Sequence, residues 1–191
     1  MLNRSEDAKD SFDKAIDIDS KMASPWWGKG WIAANEGRYE EAIEFVETAI
    51  QLDPKRARYW NDKGPDLYEL GRYEEAVKMY EMAIELDPLN AMYWFNKGNS
   101  LCFLGKADTA VKAIDRAIEL EPQNAYFWYL KGNALTLLEK HDEALKAFDQ
   151  SIELDPSQAI FWSHKSTELE ALGRTSEAEI ALAKAKELDN G

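Results

Sequence analysis

The side chains best suited to metal binding or nucleophilic attack are few. They are the histidines His141 and His164 and the single cysteine Cys102. A zinc site draws on clustered Cys and His ligands, and neither histidine has a cysteine beside it. Cys102, being alone, has no internal disulfide partner. Carboxylates are plentiful, but the pairs Glu40 and Glu41, Glu74 and Glu75, and Asp142 and Glu143 recur in step along the chain. That recurrence suits acidic helix starts, which complement the helix dipole, better than a general acid–base pair. The glycines come singly, not in a phosphate-cradling run. No catalytic centre, metal or cofactor is expected, so the chemistry left to this sequence is recognition by aromatic, thioether and amide groups.

Composition narrows the partners. With 45% hydrophobic and 31% charged residues, the chain of 191 residues is too apolar for disorder and too often interrupted by charge for a membrane protein. Its longest apolar runs, such as residues 125–130, fall far short of the roughly 20 residues that span a bilayer. No charged-then-apolar signal segment opens the sequence, so a cytoplasmic location is expected. Acidic residues outnumber basic ones by 36 to 23, a formal charge of -13. Such a surface repels phosphate backbones, and a nucleic-acid partner is not expected.

The elements that must position any recognition site follow from a period of 34 residues. Pro54, Pro88, Pro122 and Pro156 keep this interval, as do Trp26, Trp60, Trp94, Trp128 and Trp162. Gly30, Gly64, Gly98 and Gly132 do the same, with Ser166 in the fifth place. Small residues recur again at Ala42, Ala76, Ala110, Ala144 and Ala178, and seven positions later at Ala49, Ala83, Ala117, Ser151 and Ala185. Within each period apolar residues recur at three and four positions, which predicts two helices of roughly 14 residues. Asn90 is placed to cap one first helix, and Ser24 with Pro25 to start another.

This register of Trp, Gly, Ala and Pro in a 34-residue helical hairpin resembles the tetratricopeptide repeat in its prokaryotic form. The resemblance implies an all-α, right-handed superhelical solenoid of stacked antiparallel hairpins with 11 helices. Residues 1–22 match only a second helix, through Ala8, Phe12 and Ala15, and five units follow at 23–56, 57–90, 91–124, 125–158 and 159–191. All five depart from the family pattern in one place. Lys29, Lys63, Lys97, Lys131 and Lys165 stand where leucine is usual, and each is expected to lay its stem on the core and lift its ammonium to water. Glu179 and Lys186 replace apolar residues in the last second helix, as suits a polar terminal cap.

In this family the first helices line the concave face, so the resemblance directs attention to their variable positions. The middle of that face offers Met92, Phe95, Asn99, Tyr126, Tyr129 and Asn133, a set of aromatic and thioether anchors with amides to fix orientation. Asn61 and the out-of-register pair Trp27 and Trp31 extend it. The competing reading packs the aromatics between adjacent first helices, and sets the tryptophan pair against the lone first helix or a subunit contact. Pro65 is expected to kink its helix by crowding the carbonyl of Asn61. The lysine and asparagine pattern by which some relatives grip a carboxyl terminus is missing, which favours an apolar or aromatic segment. The expected function is a non-catalytic scaffold for a protein or peptide. The alternative is a self-associating module, a homodimer through residues 1–31, where the unpaired first helix leaves apolar surface.

Overall fold

The computed structural model describes the backbone of residues 2–190 and the side chains of residues 6–190. Among these residues there are eleven helices and no strand. They divide into two compact bodies, Met1–Leu89 and Asn90–Gly191. The first holds α1 (Leu2–Ile18), α2 (Ala23–Asn35), α3 (Tyr39–Leu52), α4 (Ala57–Glu69) and α5 (Tyr73–Leu86). The second holds α6 (Ala91–Phe103), α7 (Ala107–Leu120), α8 (Ala125–Thr136), α9 (His141–Leu154), α10 (Ala159–Ala171) and α11 (Thr175–Asp189). No described helix is long and apolar enough to cross a membrane.

The hairpins close on small residues. Gly132 of α8 faces the ring of Phe148 on α9, and a Cβ at Gly132 would lie 2.6 Å from Phe148 Cζ, inside any real contact. The two helices therefore approach as far as a missing side chain permits. Ala42, Ala49, Ala76, Ala83, Ala110, Ala117 and Ala144 are completely buried. Where serine replaces a small residue, its hydroxyl is satisfied on backbone: Ser166 donates to the Ala178 carbonyl at 2.9 Å and Ser151 to the Phe148 carbonyl at 2.7 Å. The recurring tryptophans tie the unit junctions. Trp60, Trp128 and Trp162 donate through Nε1 to the carbonyls of Pro54, Pro122 and Pro156 at 2.9, 2.9 and 3.0 Å.

Several local expectations are corrected. The register lysines do not lift their ammonium groups free into water: Lys29, Lys63, Lys131 and Lys165 pair with Asp13, Glu47, Asp115 and Asp149 at 2.6 to 2.7 Å. The ammonium groups of Lys29, Lys97, Lys131 and Lys165 also lie 5.5 to 5.9 Å from the ring of the register tryptophan one turn earlier. Lys29, Lys131 and Lys165 thus each link a carboxylate on the preceding second helix to an aromatic face, which a leucine could not do. Ser24 is no cap. Helix α2 begins at Ala23 with Met22 as its cap residue, and the Ser24 hydroxyl lies 3.3 Å from that of Tyr59. Asn90 does cap α6, accepting from the Met92 amide at 3.1 Å, and Asn124 repeats this on α8. Helix α4 runs through the exposed Pro65 to Glu69. Glu179 and Lys186 are both exposed on α11.

One turn and one buried acid set limits on stability. Gly37, Gly71, Gly105 and Gly173 occupy the turn after the first helix with φ of 68 to 75°, and Glu139 takes the same position with φ 58°. A side chain in the left-handed region costs about 1 kcal/mol, partly offset because glycine loosens the unfolded chain. Glu139→Gly should therefore raise the unfolding free energy by roughly 0.5–1 kcal/mol in urea titration. Asp66, 4% exposed, has its pKa pushed from an ordinary 3.8 to about 7, chiefly by burial and then by the charges of Asp62 and Glu69. Below both values the group is protonated whether folded or not. As pH rises from about 4 to 7 the unfolded chain releases this proton while the folded one keeps it, so stability falls through that window and levels off above it. Asp66→Asn should remove that contribution, roughly 4 kcal/mol at most, read as a smaller loss of melting temperature between those pH values than the unaltered chain shows.

Candidate functional site

In the first body the variable positions of α2 and α4 meet around one carboxylate. Trp27 stacks on Tyr59 with centroids 6.2 Å apart, and its Nε1 donates to Asp62 Oδ2 at 2.9 Å. Arg58 lies 4.3 Å over the Trp27 ring and places Nε 3.2 Å from the same oxygen. Asn61 Nδ2 donates to Asp62 Oδ1 at 2.8 Å. Trp27 is thus held on α4, not on the lone first helix, and Asp62 is a hub to which the sequence pattern does not point. Trp31, one turn further, is 60% exposed. The two tryptophans therefore differ: one ring fastens adjacent first helices, the other faces solvent.

In the second body the aromatics form a seam along successive first helices. Phe95 lies 5.0 Å from Phe127. Tyr129 lies 5.1 Å from Phe161, 6.0 Å from Phe148 and 5.0 Å from His164. Tyr126 packs edge-on to Phe161 at 5.3 Å and donates its hydroxyl to Gln158 Oε1 at 3.0 Å, though much of its ring stays exposed, as does Met92. Phe95 and Tyr129 therefore contribute to helix packing, whatever else they touch.

A cavity of about 410 Å³ opens between α6, α8 and α10. Asn99, Cys102 and Phe103 of α6 line it on one side. Leu130, Asn133 and Thr136 of α8, with Leu137 just past its end, line the other, and His164 of α10 completes it. Residues spaced by three and four positions share one helix face, which is why Asn99, Cys102 and Phe103 converge, as do Asn133, Thr136 and Leu137. Of the amides and aromatics singled out from sequence, Asn99 and Asn133 enter this cavity; Met92, Phe95, Tyr126 and Tyr129 stand outside its lining. Phe103 and Leu137 are 57% and 55% exposed at its mouth. They occupy a position held by Asn35, Glu69 and Ala171 elsewhere, so an apolar pair in two consecutive units is the signal that the sequence carries for this site.

Among the described residues, the lining holds no lysine, arginine or carboxylate side chain but is backed by a carboxylate. Glu168, 2% exposed, receives the Thr136 hydroxyl on Oε1 at 2.7 Å, and its Oε2 lies 2.8 Å from His141 Nδ1. Burial pushes the Cys102 thiol up to about 11, which keeps it protonated at neutral pH and a poor nucleophile. Asn133 Oδ1 is buried with no hydrogen-bond partner.

Comparison with known proteins agrees with this architecture. Tetratricopeptide-repeat profiles match residues 97–159 and 138–191, and further profiles described as TPR repeat and tetratricopeptide repeat match 64–102 and 23–56. No curated protein matches the chain. Among solved structures, MamA from Desulfovibrio magneticus RS-1 is 21% identical over 88% of this chain and 95% of its own, with a TM-score of 0.82. MamA AMB-1 is 26% identical over 87% and 98%, with a TM-score of 0.75. YrrB, described as a TPR protein with an unusual peptide-binding site, is 25% identical over 93% and 91%, again with a TM-score of 0.75. Profiles that together reach from residue 23 to 191, set on helical hairpins that repeat every 34 residues, leave one assignment: the chain belongs to the tetratricopeptide repeat family.

Proposed function

We propose that the chain holds an apolar peptide segment of a partner protein in the cavity lined by α6, α8 and α10. Proteins of this family are in general non-catalytic scaffolds for protein partners, and the finer reading adds a place and a chemistry. The observation that carries it is the cavity itself: two exposed apolar side chains, Phe103 and Leu137, flank a recess whose amides, Asn99 and Asn133, stand one repeat apart. Isolated exposed apolar residues are ordinary, whereas a concave apolar site with a few convergent polar groups is the usual form of a binding pocket. The likeness to YrrB, whose description names a peptide-binding site, supports the same reading. Met92 and Tyr126, exposed earlier on α6 and α8, would extend the contact along the segment.

A second reading is self-association near α1 and α2. Ala8, Phe12 and Ala15 are half-buried, while their register equivalents Ala42, Val46 and Ala49 are fully buried by a hairpin partner. Phe12 is covered in part, since its ring fills the space over Gly28 of α2. Trp31 adds an exposed ring to this part of the surface. Light scattering that shows only monomer at high concentration would exclude this alternative.

For the leading reading, peptides selected from a random display library against the intact chain provide the probe. Phe103→Glu and Leu137→Glu should each weaken the selected peptides by tenfold or more, roughly the 1.4 kcal/mol of one lost apolar contact, with helical circular dichroism unchanged. Phe95→Ala with Tyr129→Ala should lower the melting temperature instead, since both rings pack between helices. Peptides that bind the two glutamate variants as well as the unaltered chain would overturn the assignment.

A further inference from the structure

Helices α6 and α8 carry matching stripes on the face that bears the cavity. On α6 the stripe runs Met92, Phe95, Asn99 and Phe103; on α8 and its cap residue it runs Tyr126, Tyr129, Asn133 and Leu137. Positions three and four residues apart lie on one face of a helix. Each stripe is therefore a single line of three turns, roughly 17 Å long. Both ends are apolar and exposed, with Met92 and Tyr126 at one end and Phe103 and Leu137 at the other. No lysine, arginine or carboxylate stands on either stripe. The equivalent lines on α2 and α4 are polar at both ends, beginning with Ser24 and Arg58 and closing with Asn35 and Glu69. An apolar face of this length thus belongs to the second body.

What such a face can hold depends on main-chain hydrogen bonds. An extended segment brings a donor and an acceptor at nearly every residue, and those turned to an apolar wall need partners there. The wall has few to give. It is built of helices, whose own main-chain groups are spent on one another. Among its side chains, the Thr136 hydroxyl is engaged with the Gly132 carbonyl and the Glu168 carboxylate at 3.0 and 2.7 Å, Tyr126 donates to Gln158, and Asn133 keeps its Oδ1 buried. A helix arrives with its main chain paired internally and asks of the wall only apolar contact along one side. Its anchors, at every third or fourth residue over three turns, match the stripes in spacing and in length. An extended chain would cross the same length in about five residues, with only alternate side chains facing the wall.

We propose that the occupant is an amphipathic helix of a partner protein, about three turns long, lying along α6 and α8. One apolar anchor enters the cavity between Phe103 and Leu137, and another, three turns away, rests against Met92 and Tyr126. The outer side of the bound helix is neutral or basic, because a formal charge of -13 repels an acidic one. The inference rests on the reading of the cavity as a peptide site and adds the conformation and length of what it takes.

Two synthetic peptides of one composition, leucine with glutamine and lysine, decide between the conformations. In one the leucines fall at every third and fourth position over three turns; in the other they alternate. Both are titrated into the intact chain by heteronuclear NMR, and their shared composition cancels attraction by charge alone. The helical order should bind about tenfold more tightly, gain helical circular dichroism on binding, and shift the side-chain amides of Asn99 and Asn133. A proline set in the middle of that peptide should remove most of its advantage. Met92→Gln and Phe103→Gln should each weaken it by about fivefold, since they stand at opposite ends of the stripe. Alternating order bound as tightly as helical order would leave the apolar site standing and overturn the helix. A loss at Phe103 with none at Met92 would overturn the three-turn length. If neither peptide shifts a resonance of the stripes, the proposal falls together with the site. Both substituted positions are exposed, and the comparison of the two peptides on the unaltered chain stands without them.

Discussion

The fold depends on how closely the two helices of each hairpin can approach. At the crossing of α8 and α9 there is room for the hydrogen of Gly132 against the ring of Phe148 and for nothing larger. Close approach brings a large side chain on the second helix into contact with the backbone of the first, and the fully buried alanines along both helices follow from the same geometry. It also decides what is left over. Once the glycine and alanine stripes face inward, the remaining surface of each first helix turns toward its neighbouring first helices. There Phe95 meets Phe127, and Tyr129 meets Phe161. The cavity lies beside that seam, lined by the later turns of α6 and α8 and by His164 in the middle of α10.

Polar residues inside such a packed frame have little freedom, and the way each is satisfied separates structure from possible function. One register position shows the range. Its occupants Ile32, Asp66, Ser100, Ala134 and Glu168 are all buried. Glu168 is compensated by Thr136 and His141. Asp66 is not matched in this way; burial and neighbouring carboxylates hold its proton, so it rests neutral at the acidic side of neutrality. The Ser100 hydroxyl is buried without a partner. An uncompensated group at a position that tolerates isoleucine or alanine is a cost to stability that the hairpin packing carries.

The sequence discloses the frame well because the frame is made of contacts that repeat. A period of 34 marks Trp, Gly, Ala and Pro alike, and each has a physical role: Trp60 donates to the Pro54 carbonyl, and Gly98 lies against Ile114. The lysine series is legible as a pattern but not as a contact. Lys131 reaches back 16 residues to Asp115, a pairing visible only once the second helix lies beside the next first helix. The cavity is legible in part. Asn99 and Asn133 stand at the variable inner-face positions, while Cys102, Phe103, Thr136 and Leu137 lie one turn further on, where the inner face of the helix ends. Glu139 is silent in the sequence because a left-handed residue without glycine has no signature beyond the missing glycine itself.

The two inner faces show why fold alone does not fix a binding site. Around Asp62, three donors from Trp27, Arg58 and Asn61 converge on one carboxylate. Each lone pair so used is one less available to a partner, and a ligand entering there would have to break bonds already made. Around Asn133 the polar groups are not closed on one another in this way, for its Oδ1 is buried with no hydrogen-bond partner. The same repeat thus yields a carboxylate met by three donors in one body and an unmet buried amide oxygen in the other. What differs is a handful of side chains outside the register, and they decide which polar groups each body leaves satisfied.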